Sequence, residues 1–425
     1  MMKVRNEKLK INLANQLFFV LISCIVMSLY YFYESFLAYF LASAIIAIMI
    51  FILKGFQDLK TPITLFNYFY YFFVVVGYFF ETILRGFNPR IGFMILISIL
   101  AFNFFLPFRS YKKLEINRKK INNQYLISQL ALLFCALAIF ASFAYFAQLG
   151  NIPLFYDASP KSRIEAMTGM GYLLQPMRFG PIAALILYLT VPCNYKKYAL
   201  ILFFVCNLFL LGTGFRGTFF QNILLLIISV SLVKNSEIGF FKSLKIGFLL
   251  IFFVISIGFL RGDSNLITSL GFKVIHSISV STYILNLVVV SIDDFKYGAT
   301  FFYKFSSLLP LENIEYTQWL TSVLPIDFNG GVTPTILGDM YINFGMNYWF
   351  AMVIFGLFVM YLEKIILRSS CNFLVLFFIL NISIGIARSA TGGISNTLFQ
   401  TVLACLFIYA FIFISKIRSN SYFGS

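Results

Sequence analysis

The side chains of this sequence that could do chemistry are mainly arginines. A guanidinium group is planar and carries five donors, so it grips phosphate and carboxylate groups through paired hydrogen bonds. Arg216 stands in a very short connection between two glycines, and Arg388 precedes a Ser-Ala-Thr-Gly-Gly stretch. With Arg163, Arg178 and Arg261, they predict a site for a ligand that carries phosphate or pyrophosphate. For Arg178, anchoring of a helix start is an equal alternative.

A polar, glycine-rich stretch of an otherwise apolar region supplies the second set of candidates, FNGGVTPTILGDMYINFG at 328–345. Gly330 and Gly331 would let the backbone approach a ligand closely, and Tyr341 would offer a hydrogen bond. Asp339 is expected to bind or deprotonate a hydroxyl group; its alternative role is a helix cap. The one histidine, His276, is a second candidate base, against a purely structural role.

The cysteines argue against a metal or disulfide site. All six lie inside apolar runs or at the edges of such runs, and neither a CxxC motif nor a Cys/His cluster occurs. A single histidine cannot build a histidine-based zinc site. We therefore expect no metal and no cofactor.

The composition identifies the elements that must position these residues. The chain is 60% hydrophobic and 11% charged, with a mean hydropathy of +0.89, which predicts an all-α polytopic membrane protein. A helix needs about 20 apolar residues to cross a hydrocarbon core of roughly 30 Å. Twelve runs are candidates: 13–32, 36–53, 63–82, 91–107, 124–147, 180–192, 198–212, 217–233, 243–260, 348–362, 373–387 and 397–415.

The net charge of +16 reflects membrane topology rather than a nucleic-acid partner. Placing the basic loops and both termini in the cytoplasm accounts for 21 of the 32 lysines and arginines, as the positive-inside rule requires. The inner set has sixteen lysines and five arginines, whereas the outer set has seven arginines and four lysines. Topology does not explain this excess of arginine in the outer set, whereas recognition of an anionic ligand would explain it.

Two long extracytoplasmic loops follow from this topology, besides the short connection GTGFRGT at 212–218. One covers 148–180, and the other is a long excursion at 261–347, between the ninth and tenth spans. The excursion contains an apolar segment at 273–292 with interspersed serines, which we interpret as an amphipathic helix on the membrane surface. Its alternative, a thirteenth span, would move later basic loops outside. The whole chain, 1–425, is expected to form a single membrane domain.

Three segments resemble the bacterial O-antigen and capsule polymerases of the Wzy type. They are IPLF with Arg163 after it, the span end GTGFRGT, and GGVTPTILGDMYINFG. The third shares with that family the Gly-Gly, Pro-Thr, Gly-acid-x-Tyr and Phe-Gly pattern, with aspartate where glutamate is commoner. The resemblance covers the sixth to tenth spans, and the first 147 residues by hydropathy alone. It implies a GT-C-like fold in the bacterial inner membrane.

The resemblance also implies a reaction. Repeat units on undecaprenyl pyrophosphate would be joined at the periplasmic face by inverting glycosyl transfer, with Arg216, Asp339 and His276 as catalytic residues. Membrane lipids and a chain-length regulator protein are the expected partners. Two alternatives remain open: an O-antigen ligase, in which a loop histidine is implicated, and a flippase for lipid-linked oligosaccharides. The sugars, the linkage, O-antigen versus capsule and the oligomeric state are not specified.

Overall fold

A computed structural model describes most of the chain, and every regular element in it is helical. The described residues are 2–53, 61–106, 123–153, 170–213, 216–234, 268–308, 316–326, 332–368 and 373–416, with 236, 238, 242 and 245. The chain divides into two compact units, of which the first comprises Met1–Leu114, Gly271–Leu367 and Gly385–Phe399. The second comprises Glu115–Leu270, Arg368–Ile384 and Gln400–Ser425. A single domain over 1–425 stays a prediction.

The first unit contains helices from both halves of the sequence. They are α1 (Met2–Tyr33), α2 (Phe36–Ala47, extended by a π-helix at Ile48–Leu53), α3 (Pro62–Phe69, followed by a π-helix at Tyr70–Val75), α4 (Val76–Arg85), α5 (Pro89–Asn103), α10 (Thr268–Ser291), a 3₁₀ helix (Ala299–Leu308), α11 (Tyr316–Val323), α12 (Ile336–Phe344) and α13 (Tyr348–Arg368). The second unit contains α6 (Gln124–Leu149), α7 (Gly171–Thr190), α8 (Lys196–Gly212) and α9 (Arg216–Val233).

Local sequence sets several of these helix starts. Thr61 and Asn88 cap the helices that follow them through their side-chain oxygens, and a proline occupies the first helical position in both cases. Proline is suited to that position because its missing N–H has no partner in the first turn anyway. Helix α7 begins at Gly171 and continues through Pro176 and Pro181, so part of the predicted loop 148–180 is helical.

Seven described helices are long and apolar enough to cross a membrane. They include α6, α7 and the pair α12–α13, and four shorter apolar helices accompany them. The described part of the chain is therefore that of an all-helical, multi-pass membrane protein. The predicted span 243–260 lies outside the described residues, and the number of twelve spans stays a prediction.

The last helical element, α14 (Phe373–Lys416), reverses direction at Gly393. That glycine has non-helical angles, φ 71° and ψ 162°, inside the element. The amide nitrogen of Asn381 lies 3.8 Å from the sulfur of Cys405, although 24 residues separate them. In a straight helix, they would be about 36 Å apart. We call α14 the terminal hairpin, with legs 373–392 and 394–416; one of the two predicted spans, 373–387 and 397–415, lies on each leg.

Helix α10 covers the segment for which we expected an amphipathic helix at 273–292. It packs against other helices of the first unit: the backbone oxygen of Ile278 approaches Gly77, and Asn286 accepts a hydrogen bond of 3.0 Å from Asn88. The guanidinium carbon of Arg85, which pairs with the buried Glu81, lies 4.0 Å from the ring centre of Tyr283. Among its described side chains, Ser279, Thr282, Leu285 and Val288 are fully buried.

Candidate functional site

The carboxylate of Asp339 is the centre of a buried polar cluster in the first unit. Its Oδ1 accepts hydrogen bonds from the hydroxyl of Tyr316, at 2.7 Å, and from that of Ser395, at 2.8 Å. Its Oδ2 accepts one from the backbone N–H of Ser395, at 2.7 Å. All three residues are inaccessible to solvent. A buried carboxylate must be compensated by donors, and here the donors come from the 3₁₀–α11 region and the terminal hairpin.

The hydrogen bonds of this cluster have a single consistent direction. The Ser395 hydroxyl gives its proton to Asp339, so it must accept from Thr300, 2.9 Å away. The Thr300 hydroxyl in turn accepts from the amide of Asn343 at 2.7 Å. A relay therefore runs from Asn343 through Thr300 and Ser395 to the carboxylate, and each bond polarises the next. Asn343, Thr300, Ser395, Tyr316 and Asp339 form what we call the Asp339 cluster.

The cluster adjoins the reversal of the terminal hairpin. A Cβ atom at position 393 would lie 2.8 Å from Oδ2 of Asp339, so any side chain there would collide with the carboxylate. The backbone angles of Gly393 also fall in a region that is almost exclusive to glycine. The N–H of Ser395, two residues after Gly393, is at the start of the second leg and donates to the carboxylate. Asp339 thereby satisfies a donor of the kind that the first turn of a helix leaves without a partner.

The sequence TPTILGD, residues 333–339, explains how Asp339 comes to lie beside the reversal of the hairpin. Thr335 caps α12, since its side-chain oxygen accepts from the N–H of Gly338 at 3.2 Å. The alternative role of Asp339 as that helix's cap is therefore wrong, because the cap position is four residues earlier. A Cβ at Gly338 would lie 2.7 Å from that of Pro334, so the Gly-Asp pair is required by packing as well as by hydrogen bonding.

Aromatic and cationic side chains lie beside the cluster. The ring of Trp319 packs edge-on against Tyr303 at 5.6 Å and lies 6.0 Å from the ring of Tyr316. The Lys296 ammonium, which pairs with Asp294, lies 6.0 Å from the same indole. We call Trp319, Tyr303 and Lys296 the indole patch. Burial, with the adjacent Asp339 carboxylate, raises the pKa of the Tyr316 phenol well above its usual value, so that this phenol remains a donor.

Lys304, in the 3₁₀ helix, contacts the terminal hairpin. Its ammonium donates to the side-chain oxygen of Asn396 and lies 3.4 Å from that residue's backbone oxygen. Arg388 is half-buried on the first leg, five residues before the reversal, and its backbone oxygen accepts from Thr391 at 3.1 Å. Both cations belong to the first unit, as does Asp339.

Two other predicted site residues have described side chains. Tyr341 is buried and packs edge-on against Phe295, with 5.7 Å between ring centres. Arg178 is half-buried on α7 in the second unit, within electrostatic range of the Tyr145 phenol. Contact of either residue with a substrate stays a prediction.

The remaining predicted site residues are described partly or not at all. Arg163, Arg261, Gly330 and Gly331 lie outside the described residues. Arg216 is the first residue of α9, and His276 is within α10, but their side chains lie outside the description. Within the described chain, no three or more His, Cys, Asp or Glu side chains are grouped so that they could hold a metal ion.

Sequence reasoning found Asp339 but not its partners. Tyr316 lies 23 residues and Ser395 lies 56 residues from it, so no local motif joins them. The one available signal was composition, because Ser395 follows a Gly-Gly pair between two apolar runs, as a helix reversal would require.

Comparisons with known proteins give one match. No curated protein and no solved structure matches this chain. The family model described as "Putative O-antigen polymerase" matches residues 10–392, which include most of both compact units, every residue of the Asp339 cluster except Ser395, and the first leg of the terminal hairpin. On the strength of that nearly complete match, the chain belongs to the O-antigen polymerase family.

Proposed function

We propose that this protein elongates a bacterial surface polysaccharide by joining oligosaccharide repeat units carried on undecaprenyl pyrophosphate. The reaction takes place at the periplasmic face of the inner membrane. The observation that carries the proposal is the family match over residues 10–392. The excess of arginine among the predicted outer cations and the cluster of polar groups around Asp339 support it.

The reaction is an inverting glycosyl transfer. A hydroxyl of the acceptor repeat unit attacks the anomeric carbon of the growing glycan, and the bond from that carbon to the pyrophosphate oxygen breaks. The hydroxyl proton passes to a base, and the carrier lipid leaves with its pyrophosphate. Negative charge therefore builds on the leaving group, and fixed guanidinium groups in a site of low dielectric constant stabilise that charge.

Arginines supply this stabilisation in the proposed mechanism. Arg216 contacts the leaving pyrophosphate, and Arg163, Arg178, Arg261 and Arg388 bind the anionic headgroups of the two lipid-linked substrates. Paired hydrogen bonds from a guanidinium hold a phosphate in one orientation, which a lysine ammonium cannot do. His276 is the proposed base for the acceptor hydroxyl, because an unperturbed imidazole accepts a proton near neutral pH.

The saccharide part of the acceptor needs aromatic surface and hydrogen-bonding groups. The indole patch, with Trp319 half-buried and Lys296 beside it, offers both next to the Asp339 cluster. Ligand sites are typically built from aromatic walls with a few polar groups that fix the orientation of the ligand. We therefore propose the indole patch as the surface that receives an acceptor sugar.

A strain that lacks this protein tests the function. Loss of a polymerase leaves the lipid core decorated with one repeat unit, and we expect that pattern on a gel of surface saccharides. Loss of a flippase would leave the core undecorated, and loss of a ligase would leave long polymer on the carrier lipid. Either of the last two patterns would contradict the proposed polymerase.

Purified protein gives the direct test. In lipid vesicles with undecaprenyl-pyrophosphate repeat units as the only substrate, we expect products of increasing length and release of the carrier pyrophosphate. The proposal is contradicted if the reconstituted protein moves these lipids across the bilayer without lengthening their glycans.

A further inference from the structure

Asp339 was expected to act as a base or to bind the acceptor hydroxyl, but most of its acceptor positions are already occupied. A carboxylate has two oxygens with about four acceptor sites in all. Oδ1 takes the hydroxyls of Tyr316 and Ser395, and Oδ2 takes the N–H of Ser395. Each of these partners is a donor, so the arrangement fits an ionised carboxylate that uses most of its hydrogen-bonding capacity within the protein.

The donors that Asp339 satisfies determine what it does. The Ser395 N–H lies at the start of the second leg of the terminal hairpin, where a helix has unsatisfied donors and a partial positive charge. A carboxylate at that place stabilises the start of the leg. It does so across the one position, Gly393, at which the chain reverses. The Asp339 side chain therefore holds the tip of the hairpin, Gly385–Phe399, to α12.

The tip carries Arg388, which has a proposed role in the reaction, and Asn396, the partner of a second cation. Arg388 is on its first leg, and Asn396, on its second leg, accepts from the Lys304 ammonium. A displacement of the tip would move these groups together. The relay from Asn343 through Thr300 to Ser395 fixes the tip from a second side, because it ends on the same carboxylate.

We propose that Asp339 is a positioning residue. It fixes the tip of the terminal hairpin and, through the tip, sets Arg388 and the Lys304–Asn396 pair against the anionic headgroup of a lipid-linked substrate. It does not itself take the proton of the acceptor hydroxyl. This inference rests on the proposed function for its substrate, but the hairpin contact that it assigns to Asp339 can be measured separately.

The first experiment is a pH–rate profile of polymerisation by the reconstituted protein. The variants are Asp339→Asn, Tyr316→Phe and Ser395→Ala, and the control is Asp293→Asn, an exposed carboxylate of the same unit. We expect each of the three variants to lower the rate about tenfold, as loss of a hydrogen bond to a charged group does. The rate should fall at every pH, and the acid limb of the profile should stay in place. The control should match the unaltered protein.

A catalytic base would give a different pattern. Asp339→Asn would abolish the acid limb, added formate would restore activity to Asp339→Ala, and Tyr316→Phe would retain nearly full activity. Any of these three results would overturn the positioning role. The positioning role is supported if formate fails to restore the rate of Asp339→Ala, and if Tyr316→Phe and Ser395→Ala lower the rate as well.

The second experiment does not depend on activity. Thermal unfolding in detergent of Asp339→Ala, Ser395→Ala and the double variant forms a double-mutant cycle. We expect the double variant to be scarcely less stable than Asp339→Ala, since both changes remove the same contact. Additive losses of stability would overturn the assigned contact. If the two changes are coupled in the cycle but the unaltered protein makes no polymer, the hairpin contact is confirmed and the proposed function is refuted.

Discussion

Oδ2 of Asp339 lies where a side chain at position 393 would have to be, 2.8 Å from the place that a Cβ atom would occupy. The two residues are far apart in sequence, yet each restricts the other. Glycine at 393 allows the carboxylate to approach the start of the second leg, and the carboxylate then excludes every larger residue.

We expect Gly393→Ala to destabilise the protein and to reduce polymer formation. The alanine would meet the carboxylate and would have to adopt backbone angles that are almost exclusive to glycine, at a cost of about 1–3 kcal/mol. Unfolding temperature in detergent and polymer length on a gel measure the two effects. Gly392→Ala is the control, because its Cβ would meet only the side chains of Thr397, at 3.4 Å, and Asn396. Equal stability of the two variants would contradict the collision.

Arg216→Ala is expected to abolish chain extension while the protein remains in the membrane. Arg216→Lys should restore only part of the activity, since an ammonium keeps the charge but loses the paired hydrogen bonds to pyrophosphate. Surface polymer in a complemented null strain, with the amount of membrane protein determined in parallel, gives the result. Arg90→Ala removes a different arginine of the predicted outer set, whose side chain is exposed, and should leave polymer intact. Full-length polymer from Arg216→Ala would refute the pyrophosphate contact.

Trp319→Ala should weaken binding of the acceptor. Removal of an aromatic contact costs about 0.5–1.5 kcal/mol beyond its buried area, which corresponds to an increase in the KM for the acceptor of roughly 2- to 13-fold. The kcat should change less, because the indole would contact the sugar before and during the reaction alike. Trp349→Ala removes the other tryptophan, which is 45% exposed at the start of α13, and should leave KM unchanged. An unaltered KM in Trp319→Ala would contradict the proposal that the indole patch binds the acceptor sugar.

Labelling of introduced cysteines tests the topology. We expect Gly330→Cys to react with a membrane-impermeant thiol reagent added from outside, because 261–347 is predicted to be extracytoplasmic. Ser421→Cys, in the basic tail, should react only after the membrane is opened. The unaltered protein, with its native cysteines, gives the background for both. Protection at residue 330 would mean that the segment 273–292 crosses the membrane.

The sequence predicted the helices well because continuous apolar runs leave the backbone few alternatives. The run 124–147 became Gln124–Leu149, and 198–212 became Lys196–Gly212. It failed at the start of α7, because residues 171–179 were assigned to the loop 148–180. The helix begins at Gly171 and contains both Pro176 and Pro181.

The site was predictable only in part, for a physical reason. The Gly-Asp pair stood out because burying an acidic side chain in an apolar chain costs free energy, which indicates a structural or functional role. That role depends on Tyr316 and Ser395, which the fold brings to Asp339 and which no local sequence pattern identifies. A neighbour within four residues can be inferred from helical spacing, as Glu81 and Arg85 illustrate, but a donor on another helix cannot.

The reversal at Gly393 also determines what a C-terminal fusion can report. Because the two legs run antiparallel, Lys416 returns to the same end of the hairpin as Phe373. A reporter enzyme joined after residue 416 would therefore reveal the side of the membrane on which Arg368 and the hairpin's first residues lie. A reporter inserted at the reversal itself would reveal the side on which the tip of the hairpin lies.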